Sequence, residues 1–380
     1  MGSFVSVVLP CLNEADSVGL CVKEALDTMS GAGTAGEVVV VDNGSTDGSA
    51  DVAEEAGARV VTESRRGYGR ALRSGFDAAR GDVVVMADAD FTYDLQKIPT
   101  LIAPVVDGRA DLVLGSRLDA ATRRTMPILH RFVGTPVLSF LIGRACGGRV
   151  VGDSQSGFRA FRRQAVLALA LQSTGMELAS EMLIRGAQAG LRIEEVEAGY
   201  RERIGDSKLD AFGDGWRHLQ LIFLLAPDLL LVGPGAVLCL LGALLSLMSF
   251  VRPAGVSVGS LRWQPVFFSS ICLVLGVQAL LAGSVLAYRS SVATNAVRQR
   301  FRFVGHPAFP TRALVGGLIT IVAGLVADVA LFVGWVSGDP SPPNRGLALA
   351  ALAQSLLIVG GSLASFGAVS RFVFARSSEE

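Results

Sequence analysis

The chain has 380 residues, 51% of them hydrophobic, with Lys plus Arg equal to Asp plus Glu. It is too apolar for a purely soluble protein, and a balanced charge gives no footing for nucleic acid as a partner. Its halves differ: ahead of Pro227 stand 24 Lys/Arg against 29 Asp/Glu, and from there on 10 against 5.

The first half alternates strand and helix signals. FVSVVLP is an apolar run, residues 15–29 carry helical spacing, EVVVVD is a second run, and a Gly/Ser/Asp turn leads to a helix over 49–56. ARVVTE, GDVVVMAD and ADLVLGS repeat the theme, which predicts an α/β domain with a mainly parallel sheet covered on both faces. In open sheets of this kind ligands bind beyond the carboxyl ends of the strands. The polar residues fall there: Asn13 and Glu14, Asp42 to Asp47, Asp88 and Asp90, then Ser116 and Arg117.

Residues 125–146 are apolar but broken by Pro127 and Pro136 and flanked by arginines, so they read as interfacial helices on a bilayer or as a buried core segment. Residues 210–225 read as an amphipathic helix with Trp216, Leu219, Ile222 and Phe223 on one side. Four apolar runs follow, at about 229–251, 265–288, 313–337 and 347–370, each with the ~20 residues that cross a hydrocarbon core. The domains expected are therefore 1–226 and 227–380. Gly233 and Pro234 should bend the first span, and no Gly-x-x-x-Gly seam marks any of the four. Five arginines between the second and third spans place that loop, both termini and the first domain in the cytoplasm of an integral cell-membrane protein. Asp328, inside the third span, is either functional or bonded to a neighbouring helix through Ser or Gln354. The five cysteines show no metal-ligand spacing and read as reduced, buried thiols.

A D-x-D pair at a strand end, Asp88 and Asp90, suits a divalent metal bound to a substrate phosphate, since Mg²⁺ takes few protein carboxylates and leaves positions for phosphate and water. Alone it could equally be a solvated turn. RRGYGRALRSG offers Gly67 and Gly69 at a helix start, where backbone N–H groups could meet a phosphate. Asp47 could simply cap the helix after Gly48.

Taken together, VVLPCLNEADSV, VVVVDNGSTDGS, VVVMADADFTYD, VLGSRL, GDSQSGFRAF and RERIGDSKL resemble, in order and spacing, the family 2 glycosyltransferases of GT-A fold. With the C-terminal spans they are most similar to the dolichol- or polyprenyl-phosphate mannose and glucose synthases. The resemblance implies a Rossmann-like catalytic domain, a nucleotide-sugar donor, Mg²⁺ or Mn²⁺, and a polyprenyl phosphate acceptor in the bilayer. It assigns Pro10, Glu14 and Asp42 to the base and ribose, Gly67 and Gly69 to the donor pocket, and Asp88 and Asp90 to nucleotide and metal. Related synthases often continue DADLQ where this chain has DADFT, so Thr92 replaces a glutamine beside the metal.

A phosphate monoester is already anionic near neutral pH, so the acceptor needs cations more than a base. Arg117, Arg203 and Lys208, with Arg131 beside them, are the candidates. Asp153 would be a base or bind a sugar hydroxyl, and Gln155 and Ser156 of the same turn would lie near sugar and acceptor. Glu177 and Glu181 either line the cleft or face water. The expected activity is inverting hexose transfer from GDP-mannose or UDP-glucose to polyprenyl phosphate. The alternatives are another lipid or polysaccharide acceptor, though no Q-x-x-R-W string occurs, and a non-enzymatic transporter of lipid-linked sugar.

Overall fold

The computed structural model describes residues 3–117, 139–143, 152–205, 211–252, 256–258, 261–289, 299–338 and 343–376. It divides into two compact units, Met1–Leu225 and Ala226–Glu380. The sites proposed at Arg131 and Lys208, and most of segment 125–146, lie outside the described residues.

In the first unit, β1 (Val5–Cys11), α1 (Ala15–Gly31), β2 (Gly36–Asp42), α2 (Ser49–Glu55), β3 (Arg59–Thr62), α3 (Tyr68–Ala78), β4 (Val83–Met86), α4 (Ile98–Val106) and β5 (Leu112–Ser116) alternate as the Val/Leu runs require. β6 (Arg159–Arg162), α5 (Arg163–Leu167), α6 (Leu178–Gln188), β7 (Ile193–Glu197) and α7 (Ala211–Leu225) complete it. The sheet order is β3-β2-β1-β4-β6-β5-β7. β1 to β4 are mutually parallel, β5 pairs parallel with β7, and β6 runs antiparallel to both its neighbours.

Alternation along the strands splits the core. Val5, Val7 and Leu9 of β1 face α1 and α4 through Val18, Val22 and Leu101. On the other face α3 comes down onto Val8 and Val41, close enough that a Cβ on Gly75 would lie 2.3 Å from Val8 Cγ1.

Two expectations need correction. By sequence GDSQSGFRAF reads as a polar turn ahead of a helical RRQAVLALAL; instead RAFR is a central strand, with Ala160 and Phe161 fully buried, and the helix lasts only five residues. Ala170, at φ +50°, lies just beyond its end. The buried side of α7 is His218, Leu221, Ile222 and Leu225, while Trp216 is exposed. The i, i+3, i+4, i+7 set that packs includes a histidine, which a hydropathy pattern discounts.

Among the described residues the second unit has four helices long and apolar enough to cross a membrane, at Asp228–Val251, Pro265–Tyr288, Phe309–Val336 and Gly346–Ser370. They belong to α8 (Gly233–Val251, entered by a π-helical turn Asp228–Val232), α9 (Pro265–Arg289), α10 (Phe309–Val336) and α11 (Pro343–Arg376). Each carries a glycine pair spaced by seven: Gly235/Gly242, Gly276/Gly283, Gly317/Gly324 and Gly360/Gly367. Two turns of helix put both glycines on one face, and there α8 meets α9 and α10 meets α11 backbone to backbone. A Cβ on Gly276 would lie 2.7 Å from Cys239 N, and one on Gly317 2.4 Å from Ala364 N. The seam absent at four-residue spacing is thus present at seven.

Gly317→Leu should therefore force α10 and α11 apart and destabilise the protein by about 3 kcal/mol or more. Gly316→Leu, whose Cβ has nothing within 4 Å, should be near neutral. Thermal unfolding of the two detergent-solubilised variants checks this. Gln354 Nε2 stands 3.5 Å from Asp328 Oδ2, the helix-to-helix alternative for that acid.

Candidate functional site

The carboxyl ends of β1, β2, β4 and β5 share one edge of the sheet. Because β6 is antiparallel, the loop entering it, 152–158, arrives at the same edge. This single reversal brings GDSQSGF to the D-x-D turn.

Asp90 is held on one side only. Its Oδ1 accepts from Thr92 N at 3.0 Å and from Thr92 Oγ1 at 2.6 Å, leaving Oδ2 to face Arg203 Nη2 at 3.3 Å. Thr92, 3% exposed, thus orients the carboxylate, so its replacement of a glutamine costs no positioning of Asp90. Phe91 takes φ +67°, the left-handed conformation that turns the chain between them.

Asp88 Oδ1 accepts a 2.6 Å hydrogen bond from Tyr68 Oη. Burial, and then the charge of Asp90, push Asp88 up to about 6. Tyr93 Oη accepts from Gly157 N at 2.7 Å, and a Cβ on Gly157 would lie 3.2 Å from Asp88 Oδ2. The loop before β6 is therefore seated directly against the D-x-D turn, and glycine is needed for the approach.

Arg203 reaches the site because 200–204 crosses the same turn: Arg201 N donates to Thr92 O at 2.7 Å and Ile204 N to Asp90 O at 3.1 Å. Arg201 anchors the crossing through Glu24, at 2.8 Å on both carboxylate oxygens, and Asp94. Arg203 Nη2 touches Glu14 Oε1 and Asp90 Oδ2, both at 3.3 Å, longer than tight charge-assisted bonds. Its Nε is buried without a hydrogen-bond partner. A cation held this loosely can turn to another anion.

Arg117 and Asp153 are brought together, but onto each other. Asp153, fully buried, accepts from Arg117 Nε at 2.8 Å, Nη2 at 2.9 Å and N at 3.1 Å. Despite burial, the Arg117 fork holds Asp153 below the usual carboxylate range. An acid so depressed and so enclosed is a poor base and is not free for a sugar hydroxyl. Arg117 in turn has Asp153 on its fork and the Tyr200 ring 5.7 Å away. The pair braces the cleft wall.

Five other assignments change. Gly67 N donates to Asn43 Oδ1 at 2.7 Å and Gly69 N to Thr174 O at 3.0 Å, so neither N–H is offered to a phosphate. The glycines are there for packing: a Cβ on Gly67 would lie 2.4 Å from Thr174 O, and one on Gly69 2.7 Å from Ser173 O. Ser156 Oγ, buried, donates to Gly115 O at 2.6 Å and ties its loop to β5 instead of facing an acceptor. Glu181, fully buried, accepts from Arg185 Nε and from the backbone of Gln172 and Ser173, while Glu177 accepts from Thr174 and Gly175. Neither glutamate faces open water; both shape the loop on which Gly67 and Gly69 rest.

The remaining candidates sit at the strand ends as expected. Pro10 stands next to last in β1, beside Val41, and Asp42 accepts from Gly44 N and Ser45 N. Asp47 accepts from Ala15 N and Ser49 N, capping two helices. Gln155 is half-buried, its Nε2 3.2 Å from Ser154 Oγ and 3.4 Å from Ser180 Oγ. Three residues that the quoted motifs contain but give no role matter as much. Asn43 holds Glu63 O, Arg65 O and Gly67 N; Tyr68 holds Asp88; Arg159, fully buried, donates to Ser154 O, Ser156 O and Ala179 O. Gly69→Ala should separate α3 from loop 173–175, displace Tyr68 from Asp88 and lower turnover about tenfold or more, which steady-state kinetics beside an unchanged circular dichroism spectrum would show.

Among the described residues no three His, Cys, Asp or Glu side chains are grouped to hold a metal. Asp88 and Asp90 nonetheless fit a phosphate-bound Mg²⁺ or Mn²⁺, which asks for only one or two protein carboxylates. The repulsion that raises Asp88 is the imbalance a divalent cation removes.

The glycosyl transferase family 2 profile matches residues 6–169. The chain is 34% identical over 370 residues, 96% of its own length and 87% of the relative's, to the low-salt glycan biosynthesis hexosyltransferase Agl6 of Haloferax volcanii. It is 35% identical over 215 residues, 56% of this chain and 89% of the relative, to the dolichyl-phosphate hexose transferase of the same organism. Among solved structures, glucosyl-3-phosphoglycerate synthase from Mycobacterium tuberculosis aligns with a TM-score of 0.49 and 28% identity over 58% of this chain and 79% of that one.

Proposed function

Since the chain belongs to glycosyl transferase family 2, we propose that it moves one hexose from a nucleotide diphosphate sugar to a polyprenyl phosphate, with inversion at the anomeric carbon. The observation that carries this reading is Arg203, a loosely held cation at the open oxygen of Asp90. Similarity to a dolichyl-phosphate hexose transferase supports a lipid phosphate as the anion it receives.

The donor's base and ribose would lie along the ends of β1 and β2, against Pro10, Glu14 and Asp42, with the diphosphate at Asp88 and Asp90. A divalent metal on these two carboxylates would neutralise charge developing on the departing diphosphate. The acceptor phosphate, with a second pKa near ~6, needs no base. Its oxygen forms the new bond to the anomeric carbon as the bond to the diphosphate oxygen breaks, and the nucleoside diphosphate leaves. Arg203 holds the attacking phosphate in line, and Arg131 and Lys208 are proposed to share that role. Thr92 fixes Asp90, and Arg117 with Asp153 keeps the wall behind the sugar dry and rigid. Both GDP-mannose and UDP-glucose suit these groups. The catalytic unit faces the cytoplasm, where nucleotide sugars are made.

Offering the purified protein labelled donor with polyprenyl phosphate, diacylglycerol or a glycan primer in separate reactions tests the acceptor class. Label should enter only the polyprenyl phosphate; label in diacylglycerol or the primer instead would overturn the proposal.

A further inference from the structure

The membrane unit ends in a basic, aromatic surface at one of its two faces. The entry to α8, the end of α9 and the start of α10 share that face, since Arg300 Nη1 pairs with Asp228 Oδ2 at 3.1 Å and Phe301 and Val304 pack with Val232, Ala287 and Phe309. Between α9 and α10 the chain makes a 3-10 turn, Arg302–Gly305. Phe301 and Val304 turn inward onto Ala287 and fix it, which sends Arg302 and Phe303 outward.

Phe303 is 51% exposed, and its ring meets Phe309 edge to face at 5.6 Å. Arg300, Arg302 and Arg312 are exposed around it, with Asp228 the acid among the described side chains of this face. The turn packs onto Ala287 at the end of the span Pro265–Tyr288 and closes four residues ahead of the span Phe309–Val336, so it must sit at the level of the lipid headgroups. There an outward phenylalanine reaches the acyl boundary and guanidinium groups reach phosphate oxygens.

We propose that the turn carrying Arg302 and Phe303, with Arg312, is a binding surface for the phosphodiester headgroups of anionic phospholipids. Arg302 and Arg312 grip the phosphates, Phe303 enters the acyl boundary, and Arg300 is partly spent on Asp228. The surface ties stability of the membrane unit to the lipid around it, and this inference stands apart from the reaction proposed above.

The test compares the full chain in nanodiscs of phosphatidylcholine alone with discs containing about one-third phosphatidylglycerol, following thermal unfolding. The wild type should gain roughly 5 °C in the anionic discs, and high salt should erase the gain. Arg302→Gln with Arg312→Gln should lose most of it, whereas Arg252→Gln, on the far side of α8, should keep it. No gain in the wild type, or an equal gain in the double variant, overturns the proposal. So does a gain produced by a stoichiometric amount of polyprenyl phosphate but not by phosphatidylglycerol, which would give the surface to the acceptor.

Discussion

Asp90→Asn should abolish hexose transfer, lowering kcat/KM about 10³-fold or more, while leaving thermal stability within about 1 °C of the wild type. The side chains are the same size, and an asparagine Oδ1 can still accept from Thr92 N and Oγ1, so the turn should survive. What is lost is the negative oxygen that faces Arg203 and that, in the proposed reaction, would hold the metal. Relief of the repulsion on Asp88 should also let that acid ionise more readily. Retained activity with a retained fold would remove Asp90 from the reaction altogether.

Arg159→Met should produce the largest loss of stability in the catalytic unit, about 3 kcal/mol and roughly 6–12 °C in Tm. Arg159 is buried on every side and donates to three carbonyls, Ser156 O at 2.8 Å, Ala179 O at 2.5 Å and Ser154 O at 2.9 Å. Burial lowers its pKa only to about 10, so it remains charged at neutral pH. Methionine fills similar space but strands those carbonyls and frees the loop that seats Gly157 against Asp88. Turnover per folded molecule should fall as well, and Arg159→Lys, which can reach one carbonyl, should recover part of both. Calorimetry and single-turnover kinetics on the two variants separate stability from positioning.

Much of this was legible in the sequence because strand ends in parallel sheets are where function concentrates. Glu14, the Asp88/Asp90 pair and Arg203 come from three separated motifs and meet at one edge. The misreadings share a cause: a motif shows residue types but not which hydrogen bonds are already taken. Gly67, Gly69 and Ser156 have their polar groups satisfied inside the fold, and Arg117 and Asp153 satisfy each other. Arg159 carries no local signal, since nothing in FRAF tells a buried arginine in a central strand from an exposed one. The glycine seams of the spans are written in the sequence as a seven-residue spacing, which a four-residue Gly-x-x-x-Gly pattern does not contain.

The central claim is that a lipid phosphate oxygen accepts the sugar in a cleft organised by Asp90 and Arg203. Single-turnover mixing of purified protein, Mg²⁺ or Mn²⁺, polyprenyl phosphate and one nucleotide sugar at a time, with mass spectrometry of the lipid fraction, tests it most directly. The account predicts a hexosyl-phospho-polyprenyl product from one donor, absent with Asp90→Asn and strongly reduced with Arg203→Ala. Donor consumption with no such lipid formed, or product formation indifferent to both substitutions, would contradict it.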